Sequence, residues 1–329
     1  MKKFLIATTA LVATAGIANA EVANAEVAVS GAAKAGLVYN SEGETSTRLL
    51  SSATVVFDAS GESDGGLTFG FNTNYIVTNN GSVDNDDTTI YMSGAFGKIS
   101  FGAVAEADEV AGLSDIGWDG LDVDDVAEAF VGDELGDFLP GVSLGHNVNY
   151  TYATGPLVLS ASTRMRTSID TTTYDQESYA AGMKYSFGDF YVGLGYAAHS
   201  ADFNNPSRST AKVLSAFGGG SIGAIKVAAL YSDVTAKDGL GNKLGAEAYG
   251  LNTSYTMDAL TVSLGLGRAN FDAGIAPDQT SIGIGAAYNL GGGASISGGI
   301  AQIKSVGDEN QGSGDDKETR ADFGVKFSF

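Results

Sequence analysis

Residues 320–329 read Arg320-Ala-Asp-Phe-Gly-Val-Lys-Phe-Ser-Phe329. Phe323, Val325, Phe327 and Phe329 fall on one side of an extended backbone; Asp322, Gly324, Lys326 and Ser328 fall on the other. That is period two, the signature of a strand with one apolar and one polar face. The same register recurs upstream. Leu67, Phe69, Phe71 and Tyr75 alternate with Thr68, Gly70, Asn72 and Asn74. Phe190, Val192, Leu194 and Tyr196 alternate with Tyr191, Gly193 and Gly195, and Leu260, Val262, Leu264 and Leu266 with Thr261, Ser263, Gly265 and Gly267. Ile282, Ile284, Ala286 and Tyr288 complete the set.

Alternation alone also describes a soluble sandwich, in which one face packs a dry core. The connections decide between the two. Short turns are read at residues 61–66, 96–98, 153–156, 188–189, 218–221, 257–258 and 291–293. Long polar loops are read at 41–46, 78–88, 105–146, 167–176, 200–208, 232–244, 271–278 and 304–317. This rhythm, with aromatics at the ends of apolar runs, belongs to a transmembrane antiparallel β-barrel of about sixteen strands. Closure is a physical requirement, because an open sheet edge facing lipid leaves backbone groups unsatisfied. About sixteen strands also leave an aqueous channel inside. The polar face is rich in Gly, Ser, Thr and Asn, small residues that suit a wide lumen and would leave voids in a dry core.

Composition agrees. Glycine is frequent (46), proline scarce (4), and cysteine absent, which removes disulfides and thiolate metal sites. A net charge of −21 excludes a general nucleic-acid binder. With 43% hydrophobic residues, 16 Phe and 14 Tyr, the acidity does not signal disorder. At the N-terminus, Lys2 and Lys3 precede an uncharged apolar run over residues 4–17, followed by Ala18-Asn19-Ala20 and Ala23-Asn24-Ala25. This reads as a secretory signal over residues 1–25, cleaved after Ala20 or after Ala25. Its apolar core is shorter than the about 20 residues a spanning helix needs. Residues 26–329 then form the barrel.

One connection is unusual. Residues 105–146 hold no convincing strand, and loops longer than about 15 residues are usually functional or disordered. This loop carries Glu106, Asp108, Glu109, Asp115, Asp119, Asp122, Asp124 and Asp125, and no Lys or Arg occurs between Lys98 and Arg164. Interspersed Val110, Leu113, Ile116, Trp118, Leu121 and Phe130 point to packing against the inner wall. Folded inward, the loop narrows the lumen and lines it with acid. By strand register, Lys34, Arg48, Arg164 and Arg166 are expected on a facing basic wall, with Lys184, Lys212 and Lys226 as further inward positions. Opposed charge across a narrow aqueous gap screens solutes by size and charge. Asp122, Asp124 and Asp125 supply oxygen donors suited to Ca²⁺, though not with EF-hand spacing. No cofactor is required.

With these residues in view, the chain resembles the general diffusion porins of purple α-proteobacteria, the Rhodobacter porin family. The resemblance runs through Glu26-Val-Ala-Val-Ser-Gly31, Gly36-Leu-Val-Tyr-Asn40, Tyr91-Met-Ser-Gly-Ala-Phe-Gly-Lys-Ile-Ser100, Val192-Gly-Leu-Gly-Tyr196, Asn289-Leu-Gly-Gly-Gly-Ala-Ser-Ile-Ser-Gly-Gly-Ile300 and residues 321–329. It covers essentially the whole chain after the signal. It implies sixteen strands, a homotrimer, and an inward constriction loop between the fifth and sixth strands, which residues 105–140 match. It also implies basic wall roles for Lys34 and Arg48, cleavage after Ala25, Ca²⁺ near the constriction, and a terminal Phe329 read by barrel-assembly machinery.

The expected function is passive diffusion of ions and small hydrophilic solutes, weakly cation-selective, in the outer membrane of a Gram-negative bacterium. The partners are then the lipid bilayer with its lipopolysaccharide. The competing readings are an outer-membrane barrel enzyme and a surface adhesin or structural barrel. His146 and His199, the two histidines, sit near no Ser-Asp arrangement in sequence, which disfavours the enzyme.

Overall fold

Each alternating run becomes one strand of a single antiparallel sheet. The structure, a computed structural model, describes residues 11–12, 26–43, 45–78, 83–110, 120–128, 145–165, 176–202, 208–238, 240–272, 277–306 and 316–329. In chain order the strands are β1 (Glu26–Asn40), β2 (Thr47–Glu62), β3 (Thr68–Thr78), β4 (Val83–Gly94), β5 (Gly97–Gly102), β6 (Val148–Thr154), β7 (Leu157–Thr163) and β8 (Gln176–Phe187). They continue as β9 (Phe190–Asp202), β10 (Arg208–Ile222), β11 (Ile225–Lys237), β12 (Lys243–Met257), β13 (Leu260–Phe271), β14 (Asp278–Gly291), β15 (Ala294–Val306) and β16 (Asp316–Ser328). Every strand pairs with its sequence neighbours, and β16 returns to pair with β1, with Gly324 opposite Gly36 and Lys326 opposite Lys34. The barrel is therefore closed. A two-residue strand, Leu11–Val12, adds to β1 at Val29 and Ala28, beyond the stretch that β16 covers.

Alternation sets the two faces. Phe323 is 66% exposed, Leu49 63% and Leu37 57%, and Leu194, Ile282, Ile284 and Ile300 are likewise about half exposed on the outside. Each such side chain left in water forgoes about 1.5–3 kcal/mol of burial, so a continuous band of them requires lipid. Tyr185, Phe187 and Phe190 stack in series around the short turn at residues 188–189, as an interfacial girdle does. No helix among the described residues is long and apolar enough to cross a membrane; the strands make the crossing.

Two local expectations are corrected. The turn read at residues 218–221 lies further on, at Gly223 and Ala224, and β10 runs through the glycines. Those glycines are spaces for aromatic rings: a Cβ on Gly220 would meet Phe190 at 2.3 Å, and one on Gly219 would meet the Tyr191 hydroxyl at 2.6 Å. The turn itself uses Gly223 at φ +61°. Lys212 does not point inward. It shares its face with the exposed Leu214 and lies opposite Ala198, near the long-loop rim, where its ammonium can reach water. Lys184 does face inward, its Nζ 4.4 Å from the centre of the Tyr191 ring.

Candidate functional site

The chain leaves β5 at Gly102 and re-enters the wall at β6. Gly102 N donates to Asn147 O at 3.0 Å, so the two ends of the long loop stand side by side. The described parts of the loop touch the inner wall at three places.

The first contact lies on β6 to β9. A short helix α1 (Ala107–Val110) begins there, with Ala107 N donating to Ser162 Oγ at 2.7 Å and Asn149 Nδ2 donating to Ala105 O at 3.1 Å. Asp108 is buried over Gly195, where a Cβ would come within 2.5 Å of the Asp108 Cβ.

The second contact lies across the barrel, on β16 and β1, and is centred on Asp322. Asp322 Oδ2 accepts three consecutive backbone amides, from Leu121 (3.2 Å), Asp122 (2.7 Å) and Val123 (2.8 Å). Successive N–H groups make a concavity for an anion, and a wall carboxylate fills it. Lys34 Nζ donates to Leu121 O at 2.5 Å and Lys326 Nζ to Gly120 O at 2.9 Å. These lysines are direct cross-strand partners, a repulsive arrangement that the loop carbonyls offset. Between them and Asp322 sits the Gly36–Gly324 pair, which receives the fully buried Leu121 side chain; a Cβ on either glycine would lie within 2.8 Å of Leu121 Cδ2. Burying a leucine this way contributes about 1.5–3 kcal/mol. Arg48 on β2 completes the contact, 3.3 Å from Asp122 Oδ2.

The third contact lies on β12 to β14. Ser281 Oγ donates to Val126 O at 2.6 Å, and the cross-strand pair Gly250–Gly267 seats residues 126 and 127. Ala107 and Ala127 join an apolar cluster of the inner wall with Val213, Phe217, Leu230 and Val234. A Cβ on Gly250 would lie 2.0 Å from Ala127 O. Gly250→Val is therefore expected to lift this part of the loop while the barrel keeps its heat-resistant gel mobility. Protease cleavage within residues 120–128 should rise; unchanged cleavage would show that the seat does not hold the loop.

The expected site residues fall as follows. Lys34 and Arg48 touch the loop directly. Arg164 donates to Gly145 O at 2.9 Å, on the wall that carries α1. Glu106 and Asp108 are turned toward the wall, whereas Glu109, Asp122, Asp124 and Asp125 are only partly covered. Asp115, Asp119 and Arg166 lie outside the described residues. Of the three aspartates expected to offer calcium donors, Asp122 is engaged by Arg48.

The histidines, far from any Ser-Asp arrangement in sequence, meet serines in space. His146 Nδ1 lies 2.6 Å from Ser162 Oγ, its Nε2 touches Ser178 Oγ, and Ser178 Oγ lies 2.7 Å from His199 Nδ1. Burial, then the neighbouring His199 and Arg164, push His146 down to about 4 from its usual 6.5. It is a neutral imidazole at neutral pH, so its 3.7 Å contact with Glu106 is not an ion pair there.

A closed sixteen-stranded barrel with a lipid-facing outside and a loop fastened to its inner wall is an outer-membrane diffusion channel. The comparisons agree: the Gram-negative porin family matches residues 7–308. A porin of Rhodobacter capsulatus is 31% identical over 318 residues, covering 91% of this chain and 99% of the relative. A porin structure refined at 1.8 Å is 29% identical, with a TM-score of 0.67 over 92% of this chain and 100% of that one. The anion-selective porin from Comamonas acidovorans shares the fold, with a TM-score of 0.77 at 15% identity over 93% of this chain and 100% of that one. The chain belongs to the Gram-negative porin family and forms an outer-membrane channel.

Proposed function

We propose that the channel is weakly cation-selective, passes ions and small hydrophilic solutes without chemistry, and works as a homotrimer in a lipopolysaccharide-bearing membrane. The observation that carries the selectivity is the fastened loop. Its described segment 120–128 holds Asp122, Asp124, Asp125 and Glu128 and no basic residue, and it lies inside the lumen along the wall from β12 to β2. A fixed ring of acid raises the local concentration of cations. Arg48, still half exposed beside Asp122, tempers the preference.

The trimer reading rests on strand length. β5 has 6 residues, and β6 and β7 have 7 each, against about 9–11 for a strand that spans the apolar layer. That sector of wall is too low to face lipid alone, and a second copy is the natural cover. One structural relative, OmpT of Vibrio cholerae, is described in a trimer form. Residues 1–25 serve as the export signal in this reading. A catalytic role is disfavoured because Ser178, His146 and His199 are 2%, 3% and 5% exposed, which leaves a substrate no approach.

Reversal potentials across a salt gradient test the selectivity. The triple variant D124N/D125N/E128Q should lose cation preference, and Arg48→Gln should increase it. Unchanged potentials in both would remove these residues from the narrow part of the pore.

A further inference from the structure

Both histidines of the chain converge with one carboxylate at the foot of the loop, and nothing in diffusion through a pore calls for such a cluster. Glu106 lies on the outgoing end of the loop, His146 on the returning end, and His199 on β9 of the wall. Glu106 Oε1 is 3.7 Å from His146 Nε2, and Oε2 is 3.7 Å from His199 Nε2. One ligand atom from each of the three residues lies within 4.8 Å of the other two, the one such group among the described residues.

We propose that Glu106, His146 and His199 bind a divalent transition metal of the zinc type, which ties both ends of the constriction loop to the barrel wall. Four-coordinate zinc with bonds of about 2.0–2.2 Å separates its ligand atoms by about 3.3–3.6 Å. The observed carboxylate–imidazole separations are already close to that. Two imidazoles and one carboxylate suit zinc, cobalt or nickel and not calcium or magnesium, which take oxygen donors. The rings are also held as ligand rings usually are. His146 Nδ1 is bonded to Ser162 Oγ and His199 Nδ1 to Ser178 Oγ; His199 Nε2 faces Glu106, and His146 Nε2 stands between Glu106 and Ser178 Oγ, whose contact with it a metal ion would replace. Ser178 Oγ, in contact with both rings, stands beside the remaining coordination position, which its hydroxyl or a water would take. Both imidazoles are almost wholly buried, so a bound ion is shielded from the acidic lumen.

The site is independent of ion selectivity, so its failure leaves the channel reading untouched. The test is a Co²⁺ titration of the purified, EDTA-treated full-length porin in detergent, in millimolar Ca²⁺ to occupy surface carboxylates. The expected result is one Co²⁺ per chain with visible absorption of a low-coordinate nitrogen–oxygen site. His199→Gln and the near-isosteric Glu106→Gln should each weaken binding by about tenfold or more. Heat-modifiable gel mobility confirms that both variants still form the barrel. Absence of Co²⁺ uptake, uptake that Ca²⁺ abolishes, or uptake that both folded variants retain unchanged would each overturn the proposal.

Discussion

Excising residues 104–145 and joining the ends through a short glycine linker is expected to raise single-channel conductance several-fold. The barrel should survive the cut. β5 and β6 pair from Lys98–Thr151 to Phe101–Val148, and Gly102 already donates to Asn147 O, so the linker closes an ordinary hairpin. What is lost is the obstruction. Ionic resistance concentrates at the narrowest level of a pore, and the described parts of the loop occupy the lumen at both the β6–β9 wall and the β16–β1 wall. The same variant should admit larger sugars in a liposome-swelling assay and lose most of its ion preference. Conductance equal to that of the intact chain would mean that the loop does not set the limit.

The second large effect is expected at Asp322. Asp322→Ala removes the one acceptor of three loop amides. Hydrogen bonds to a charged group contribute about 1.5–3 kcal/mol each, and water recovers part of that once the loop lifts. A net loss of about 3 kcal/mol shifts the ratio of docked to released loop by roughly 100-fold. The strand should stay, because its ladder to β1 and β15 is backbone. The recordings should therefore show flicker between two conductance levels, with faster proteolysis in residues 120–128. Asp322→Asn, which keeps an acceptor oxygen, should fall between. Quiet channels in Asp322→Ala would show that the loop is held elsewhere.

Much of the fold was legible because lipid on one side and water on the other force a strict period of two. Phe323, Val325 and Phe327 announce a strand without any knowledge of its neighbours. Counting connections then closes the barrel. The rule weakens where a residue has no side chain to classify: the run Gly218-Gly219-Gly220 reads as a turn, yet it is a strand whose missing side chains make room for Phe190 and Tyr191. It also weakens near a rim, where Lys212 can face outward and still reach water.

The loop seats were not legible. Gly36 faces Gly324 and Gly250 faces Gly267 only once register is fixed, and a glycine on the polar face reads equally as lumen or as seat. The acidic loop and the basic wall are both visible in sequence, but not which strands the loop leans on; Lys34 and Arg48 grip the loop, and Asp322 and Lys326 read in sequence as ordinary lumen residues. The Glu106–His146–His199 group combines residues 40 and more positions apart, so no local spacing could announce it.

The most direct test is the electrical behaviour of the unmodified protein. Purified chain added to a planar bilayer should produce discrete upward current steps whose size grows in proportion to the conductivity of the bathing salt, as a water-filled lumen requires. A protein that enters the bilayer, keeps its folded gel mobility and passes no current would contradict the channel.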